Sequence, residues 1–422
     1  MSVVGLLLLG ACSRPPDVIL VTVDTLRADH VGVGPSGSTL TPSLDLFAQQ
    51  AITFTDAWSP ISVTGPAFCS MLTGQEPGRH GVMMNIGPAG LPPLGPAAFT
   101  LAERLSTKGY TSAAFVSGFT LRPELGLDQG YSLYSAPRTA RRPGEQTAAR
   151  ATAWIGQAEG PIHLWFHTYD AHGPWTDYPE VAEQAAWRSL PAAPIPDYQR
   201  IGGITDPDFY AQRYRRAVLA ADAQVGALLG ALHAADRFDP ALIIVTSDHG
   251  ESLTEQPLWF DHGTAPSAEQ LHVPLFVKLP FQERAGERVS APVSLLDLLP
   301  TVLSVAGLAP DPTLDGHSLL GPLSPDRILL GEDSHCKEHP ALPCAPRGPR
   351  GKAFAARDGS FSLLRAPAAA GPVYTLFDRK ADPAEQKPLD TPPPAALIAA
   401  VDAAAAARAA VDWPVETPTS GD

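Results

Sequence analysis

Cysteine is scarce in this sequence, and basic residues are outnumbered by acidic ones. Four cysteines in 422 residues are too few for a disulfide framework, and none forms a C-x-x-C pair, which excludes a zinc ribbon and a thiol redox centre. Cys336 and Cys344, within CKEHPALPC, are close enough for one local bridge; two free thiols are the alternative. Lys and Arg number 30 against 44 Asp and Glu, a formal net charge of −14. Phosphate backbones require clustered basic residues, so nucleic acid is excluded as a partner, although a local basic pocket for a small anion is not. The apolar run Leu6 to Leu9 is far too short to span a bilayer as a helix. Internal repeats, a glycine-rich phosphate loop and coiled-coil heptads are also missing.

Proline and glycine are plentiful, at 45 and 36, more than a compact core uses, so long irregular surface loops are expected. Apolar residues make up 44%, as in soluble globular proteins. The length allows one large α/β domain with an appendage, or two or three smaller domains. Near the N-terminus, Cys12 follows Leu6 to Leu9, Gly10 and Ala11. This L-G-A-C looks like the lipobox of a bacterial lipoprotein signal peptide, though Met1 to Gly5 lacks the usual basic residues. The expectation is an exported protein, periplasmic or membrane-anchored, with residues 1–16 as signal and linker and a lipid on Cys12 as its sole membrane contact. That compartment would also permit the Cys336/Cys344 bridge.

Three apolar runs carry the chemistry. Val18, Ile19, Leu20, Val21 and Val23 read as a strand covered on both faces of a parallel sheet, which delivers Asp24 to the carboxyl edge where α/β proteins bind ligands. A carboxylate there suits a divalent cation; an N-cap is the competing role. A second strand, Ile162 to Phe166, delivers His167, Asp170 and His172 in HTYDAHGPW, a cluster able to bind an anion, move a proton or ligate a metal. The third, Leu242 to Val245, ends in TSDHGE, whose adjacent Asp248 and His249 can both reach one cation. Glu251 reads as a helix-start residue. Trp175 to Tyr210 resembles an ordered loop over a site, and the longest helical pattern runs from Tyr210 to Ala235. Val293 to Gly307 reads as an amphipathic helix. Lys278, in a strand from Val273 to Leu279, is an edge charge or a substrate contact.

These pieces fall in a family order. VTVDTLRADH, TPSLDLFAQQ, MLTGQEPGRHGV, TLAERLSTKGYTSAAFVSG with GLDQGY, FHTYDAHGPW, LIIVTSDHGE, DHGT with LHVPLFVKLP, SLLDLLPTVLSVAGL with LDGHSLL, and YTLFDRKADPAEQ together resemble the sulfatase family of the alkaline phosphatase superfamily over nearly the whole chain. The implied fold is α/β: a large mixed, mostly parallel central sheet flanked by helices over residues 17–327. A small C-terminal antiparallel sheet plus helix follows over 328–412, then a tail at 413–422.

The departures from the family bear on function. Sulfatases carry a cysteine or serine, oxidised to formylglycine, ten residues before the glycine of L-T-G. Here that count from Gly74 reaches Thr64, with Phe68 where an arginine belongs. Threonine cannot give the aldehyde, so no formylglycine is expected, and Cys69, five residues late, reads as a buried helix cysteine. The lysine and histidine that sulfatases place after the next strand are replaced by Ser117-Gly118-Phe119.

The resemblance implies a metal site of Asp24, Thr64, Asp248 and His249 for one divalent ion, Zn, Mn, Ca or Mg. It leaves open a second metal on Asp170, His172 and His262. Thr64 is then the nucleophile or merely a helix cap, His262 steadies the developing charge, and His172 or His167 protonates the leaving alcohol. The favoured substrate is a small anionic phosphoester or phosphodiester, on an envelope glycan or lipid. The alternatives are a sulfuric ester hydrolase without formylglycine, a phospho-alcohol transferase acting on the envelope, and a binding protein that keeps only the fold.

Overall fold

The computed structural model describes residues 14–32, 40–85, 93–177, 193–333, 351–368 and 370–409. Cys12, Cys336, Cys344, Tyr178, Trp187 and the tail lie outside these segments. In chain order the main sheet takes β1 (Val18–Val23), β2 (Ile52–Trp58), β3 (Thr111–Val116), β4 (Leu133–Ser135), β5 (Ile162–Thr168), β6 (Leu242–Thr246), β7 (His272–Lys278), β8 (Arg288–Val289) and β9 (Val293–Ser294). Their spatial order is β4-β3-β5-β1-β6-β7-β2-β8, with β9 also on β2. Among the described strands β7 alone runs against its neighbours, β6 and β2. All other pairs are parallel, including β1 with both β5 and β6.

The helices are α1 (Pro42–Ala48), α2 (Thr64–Thr73), α3 (Pro77–His80), α4 (Leu101–Ser106), α5 (Gly144–Ile155), α6 (Pro207–Ala234), α7 (Ala268–Leu271), α8 (Leu298–Val305) and α9 (Ala395–Ala409). Alternate residues of β1 serve opposite faces, as the strand period requires. Ile19, Val21 and Val23 pack with Phe47 of α1, Ala151 of α5 and Tyr214 of α6. Val18 and Leu20 pack with Phe68 and Leu72 of α2, Leu105 of α4 and Leu299 of α8. Two helical layers thus cover a central strand that is buried at every residue.

Start signals explain two shifts from the sequence expectations. α6 begins at Pro207 because Asp206 accepts a hydrogen bond from the Asp208 amide and proline occupies the first turn. It is long and apolar enough to cross a membrane by composition, yet Tyr210, Tyr214, Val218 and Val225 are buried core residues. The expected helix over 293–307 begins instead as β9 and a 3-10 turn, because Ser294 and Asp297 form a capping box that delays the α-helix to Leu298.

Lys278 is neither an edge charge nor a substrate contact. β7 is an interior strand, and the buried ammonium donates to the carbonyls of Phe238, Asp239 and Ala241, which lead into β6.

A second, antiparallel sheet of β10 (Leu329–Glu332), β11 (Phe354–Arg357), β12 (Phe361–Ala366) and β13 (Val373–Asp378) is covered by α9 through Leu397 and Val401. It is joined to the first at one place that matters. Glu332 bridges Ile61, its amide donates to the Pro60 carbonyl (3.0 Å), and its carbonyl accepts from Ser62 (3.4 Å). The Glu332 carboxylate in turn holds Arg408 of α9 at 2.8 Å and lies 3.4 Å from Lys352.

Candidate metal centre and active site

β1, β5 and β6 end side by side, so their following residues meet. Asp24 leaves β1 with its amide bonded to the Thr168 carbonyl at 3.0 Å. The next residue, Thr25, takes a left-handed φ of 54°, which turns the chain so that its amide reaches Asp248 Oδ1 at 3.2 Å. Leu26 N donates to Ser247 Oγ (3.0 Å), and that hydroxyl donates to the His249 carbonyl (2.6 Å). The two acidic turns are therefore fastened to each other by backbone and hydroxyl, with Tyr214 of α6 donating to the Thr25 carbonyl from below.

Asp24, Asp248 and His249 are fully buried, and one ligand atom from each lies within 4.8 Å of the others. Asp24 Oδ1 and Asp248 Oδ2 have no hydrogen-bond partner. His249 donates through Nδ1 to the Gly250 carbonyl (2.8 Å), which leaves the Nε2 lone pair facing Thr64 Oγ1 and Asp248 Oδ2, each at 3.3 Å. Burial, followed by the charge of Asp248, pushes the Asp24 carboxyl well above its usual range. Two buried carboxyl groups with one open oxygen apiece, an imidazole nitrogen and a hydroxyl form a donor set that a divalent cation fits.

Thr64 is the first residue of α2, and the cap position belongs to Val63, whose side chain makes no capping bond. The hydroxyl is thus not a helix cap. Its neighbour Gly65 gives its amide to Asn85 Oδ1 at 2.7 Å, and a Cβ at Gly65 would stand 2.9 Å from that oxygen. Asn85, which no sequence signal marked, therefore anchors the turn that presents Thr64. Cys69 is buried in α2, with its thiol pushed far up by burial.

The histidines separate into different tasks. His167 is fully buried: its Nδ1 accepts from the Ser117 amide (3.4 Å), so Nε2 carries the proton and donates to Asp24 Oδ2 at 3.1 Å. Burial lowers its pKa to about 4, so it stands as a neutral prop behind Asp24. His172 donates from Nδ1 to the Gly173 carbonyl at 2.5 Å, leaving Nε2 open. Its ring centroid is 5.0 Å from that of His262, which is 4.5 Å from that of His249. His172 and His262 thus stand on one side of the carboxylate cluster.

Glu251 starts no helix. Its fully buried carboxylate lies 3.3 Å from His262 Nδ1 and orients that ring. Asp170 does not join the other two residues of the expected second metal set. It accepts from the Gly144 amide (3.0 Å) and from Thr168 Oγ1 (2.9 Å), at the start of α5. Ser117 Oγ pairs with Thr147 Oγ1 at 2.7 Å. The expected ordered loop reaches the site where Tyr198 donates to Asp261 Oδ1 at 2.7 Å, next to His262.

A mostly parallel sheet carries a buried carboxylate–histidine cluster at its carboxyl edge, and comparison makes its class an ester hydrolase of the alkaline phosphatase superfamily. The particular family follows from comparison: the Sulfatase family model matches residues 16–308, and the chain belongs to the sulfatase family. Arylsulfatase A of Homo sapiens is 27% identical over 392 residues, 83% of this chain and 75% of that protein. The inner membrane protein YejM of Salmonella typhi is 25% identical over 288 residues, 68% of this chain but 41% of that longer protein. Among solved structures, the phosphonate monoester hydrolase of Agrobacterium radiobacter superposes with a TM-score of 0.73 at 21% identity, covering 93% of this chain and 95% of that one. The 2-O GAG sulfatase BT1596 superposes with a TM-score of 0.69 at 17% identity, covering 93% and 91%.

Proposed function

We propose that the protein is a metal-dependent hydrolase of phosphoesters or phosphodiesters with Thr64 as nucleophile. The observation that carries this reading is the Thr64 hydroxyl, 3.3 Å from His249 Nε2 within the buried acidic cluster. Asp24, Asp248, His249 and Thr64 would hold one divalent cation, which when bound favours the threonine alkoxide and offsets charge on the attacked group. Thr64 Oγ1 releases its proton to solvent and forms the new bond to phosphorus while the bond to the leaving alcohol oxygen breaks. His262, oriented by Glu251, supports the phosphoryl oxygens. His172 gives the leaving oxygen a proton from Nε2. Burial and His262 hold its pKa well below the usual value, so the charge of the anionic substrate is what would bring that proton in. Water then cleaves the phosphothreonine ester and restores the hydroxyl.

Threonine in place of the oxidisable cysteine, and Ser117-Gly118-Phe119 in place of the lysine and histidine, favour phosphorus over sulfur. The fold shared with a phosphonate monoester hydrolase agrees with this preference. Sulfuric ester hydrolysis is the second reading, favoured by the arylsulfatase A relationship. Export, with an envelope glycan or lipid as substrate carrier, belongs to the same proposal. The test compares p-nitrophenyl phosphate, bis-p-nitrophenyl phosphate and p-nitrophenyl sulfate with metal-loaded protein and with Thr64→Ala. Phosphoester turnover that disappears in the variant is expected; sulfate as the best substrate, or an active alanine variant, refutes the proposal. Phospho-alcohol transfer to added glycerol, exceeding hydrolysis, would mark a transferase instead.

A further inference from the structure

Tyr169 stands at the centre of this site without a task so far. It is 4% exposed. Its ring stacks on His172 with centroids 4.1 Å apart and planes 17° from parallel, and its centroid is 6.0 Å from that of His167. Gly118 makes room for it: a Cβ there would lie 3.0 Å from Tyr169 Cδ2 and 3.2 Å from Cε2. Gly118 belongs to the segment that replaces the lysine and histidine of sulfatases, so the phenol ring lies against the stretch of chain that would have carried them. The change in sequence and the placement of the ring are two sides of one rearrangement.

The ring is enclosed, yet its hydroxyl is unengaged. Among the described residues it makes no hydrogen bond. Its ring lies against His172, whose own ring is 5.0 Å from that of His262, and the Asp24, Asp248 and Glu251 carboxylates and Arg141 act on the phenol electrostatically. Burial, reinforced by those carboxylates, keeps the phenol protonated and hence a donor. Enclosed phenols usually find a partner for the hydroxyl, and the His172 ring on which this one stacks leads through His262 to His249, beside Thr64.

We propose that Tyr169 is a catalytic residue that donates a hydrogen bond to a non-bridging oxygen of the phosphoryl group, and that this neutral donor, in place of two cationic ones, suits a singly charged phosphodiester better than a doubly charged phosphomonoester. A neutral donor placed at a developing charge contributes to the transition state without requiring a dianion to balance it. The inference rests on the Thr64 reading and is separable from it.

Tyr169→Phe removes the hydroxyl and keeps the ring that stacks on His172. With metal-loaded protein and bis-p-nitrophenyl phosphate, the expected result is a fall in kcat of about 100-fold with KM within about threefold, as for loss of one donor to a transition-state oxygen. Metal content and melting temperature should match the parent, and the parent should turn over the diester faster than p-nitrophenyl phosphate. A variant that keeps half or more of the parental kcat overturns the proposal. So does a loss of activity that accompanies released metal or a lowered melting temperature, since the phenol would then be a prop. A parent that prefers the monoester overturns the specificity claim. Thr64→Ala, assayed alongside, separates the two levels: activity there sinks the shared mechanism, whereas an inactive Thr64→Ala beside an active Tyr169→Phe removes Tyr169 alone.

Discussion

His167 and His172 are five positions apart and do different work, and their variants should differ in kind. His167 touches Asp24 and no open space. His167→Ala should weaken divalent metal binding by about 10–100-fold, as other losses of a ligand's supporting hydrogen bond do; a calorimetric metal titration reads this directly. His172→Ala should leave metal affinity near the parental value and lower kcat by about 100-fold, the usual scale for a lost proton donor. Equal metal affinities in both variants would contradict the division. At this scale the sequence was legible where an apolar run ended in an acidic or imidazole side chain, which is why Asp24, Asp248 and His249 could be read from it. Glu251, Asp170 and His167 were misplaced because their partners, His262, Gly144 and Asp24, come from elsewhere in the chain or sit on the strand's far side. Asn85 gave no signal, being twenty residues from the turn it holds.

Short elements in this protein depend on single residues at their ends. α2 is stopped by Gly74, with φ 66°, where a Cβ would come within 3.2 Å of Leu299 and Leu314. Gly74→Ala should cost about 1–2 kcal/mol of stability from backbone strain and crowding, measured by urea denaturation; an unchanged midpoint would mean the turn re-forms without strain. Lys278 plays the matching role for β6, closing three carbonyls that lead into it. Lys278→Met leaves those acceptors in an apolar setting and should destabilise by about 2–4 kcal/mol, while the kcat of the residual folded enzyme stays within about twofold. Strands and long helices followed from hydrophobic period and caps. The direction of β7, and hence the burial of Lys278, did not, because strand order is a property of the assembled sheet.

Over the whole molecule, two buried histidines remote from the metal cluster link stability to pH. His163 in β5 has its pKa lowered to about 4, by burial, and His80 in α3 to about 3, by burial and then the charges of Arg408 and Lys352. In the unfolded chain both titrate near 6.5. Between that value and the folded pKa the unfolded state binds the proton and the folded state does not, so stability is full above about pH 6.5 and falls as pH drops. Each histidine adds a slope of up to about 1.4 kcal/mol per pH unit. His163→Gln should give a shallower decline between pH 6.5 and 4.5 in denaturation midpoints; an identical decline would remove that histidine from the account.

The bond pair between Glu332 and the Pro60–Ser62 segment orders events in time. Asp24, Asp248 and His249 have all been synthesised by the time residue 249 is made, but the strand that braces the turn before Thr64 comes some eighty residues later, and Arg408, which steadies that strand, later still. If Thr64 is the nucleophile as proposed, a nascent chain can bring Asp24, Asp248 and His249 together before the turn ahead of Thr64 is braced, so ester cleavage would wait for the second sheet to be made.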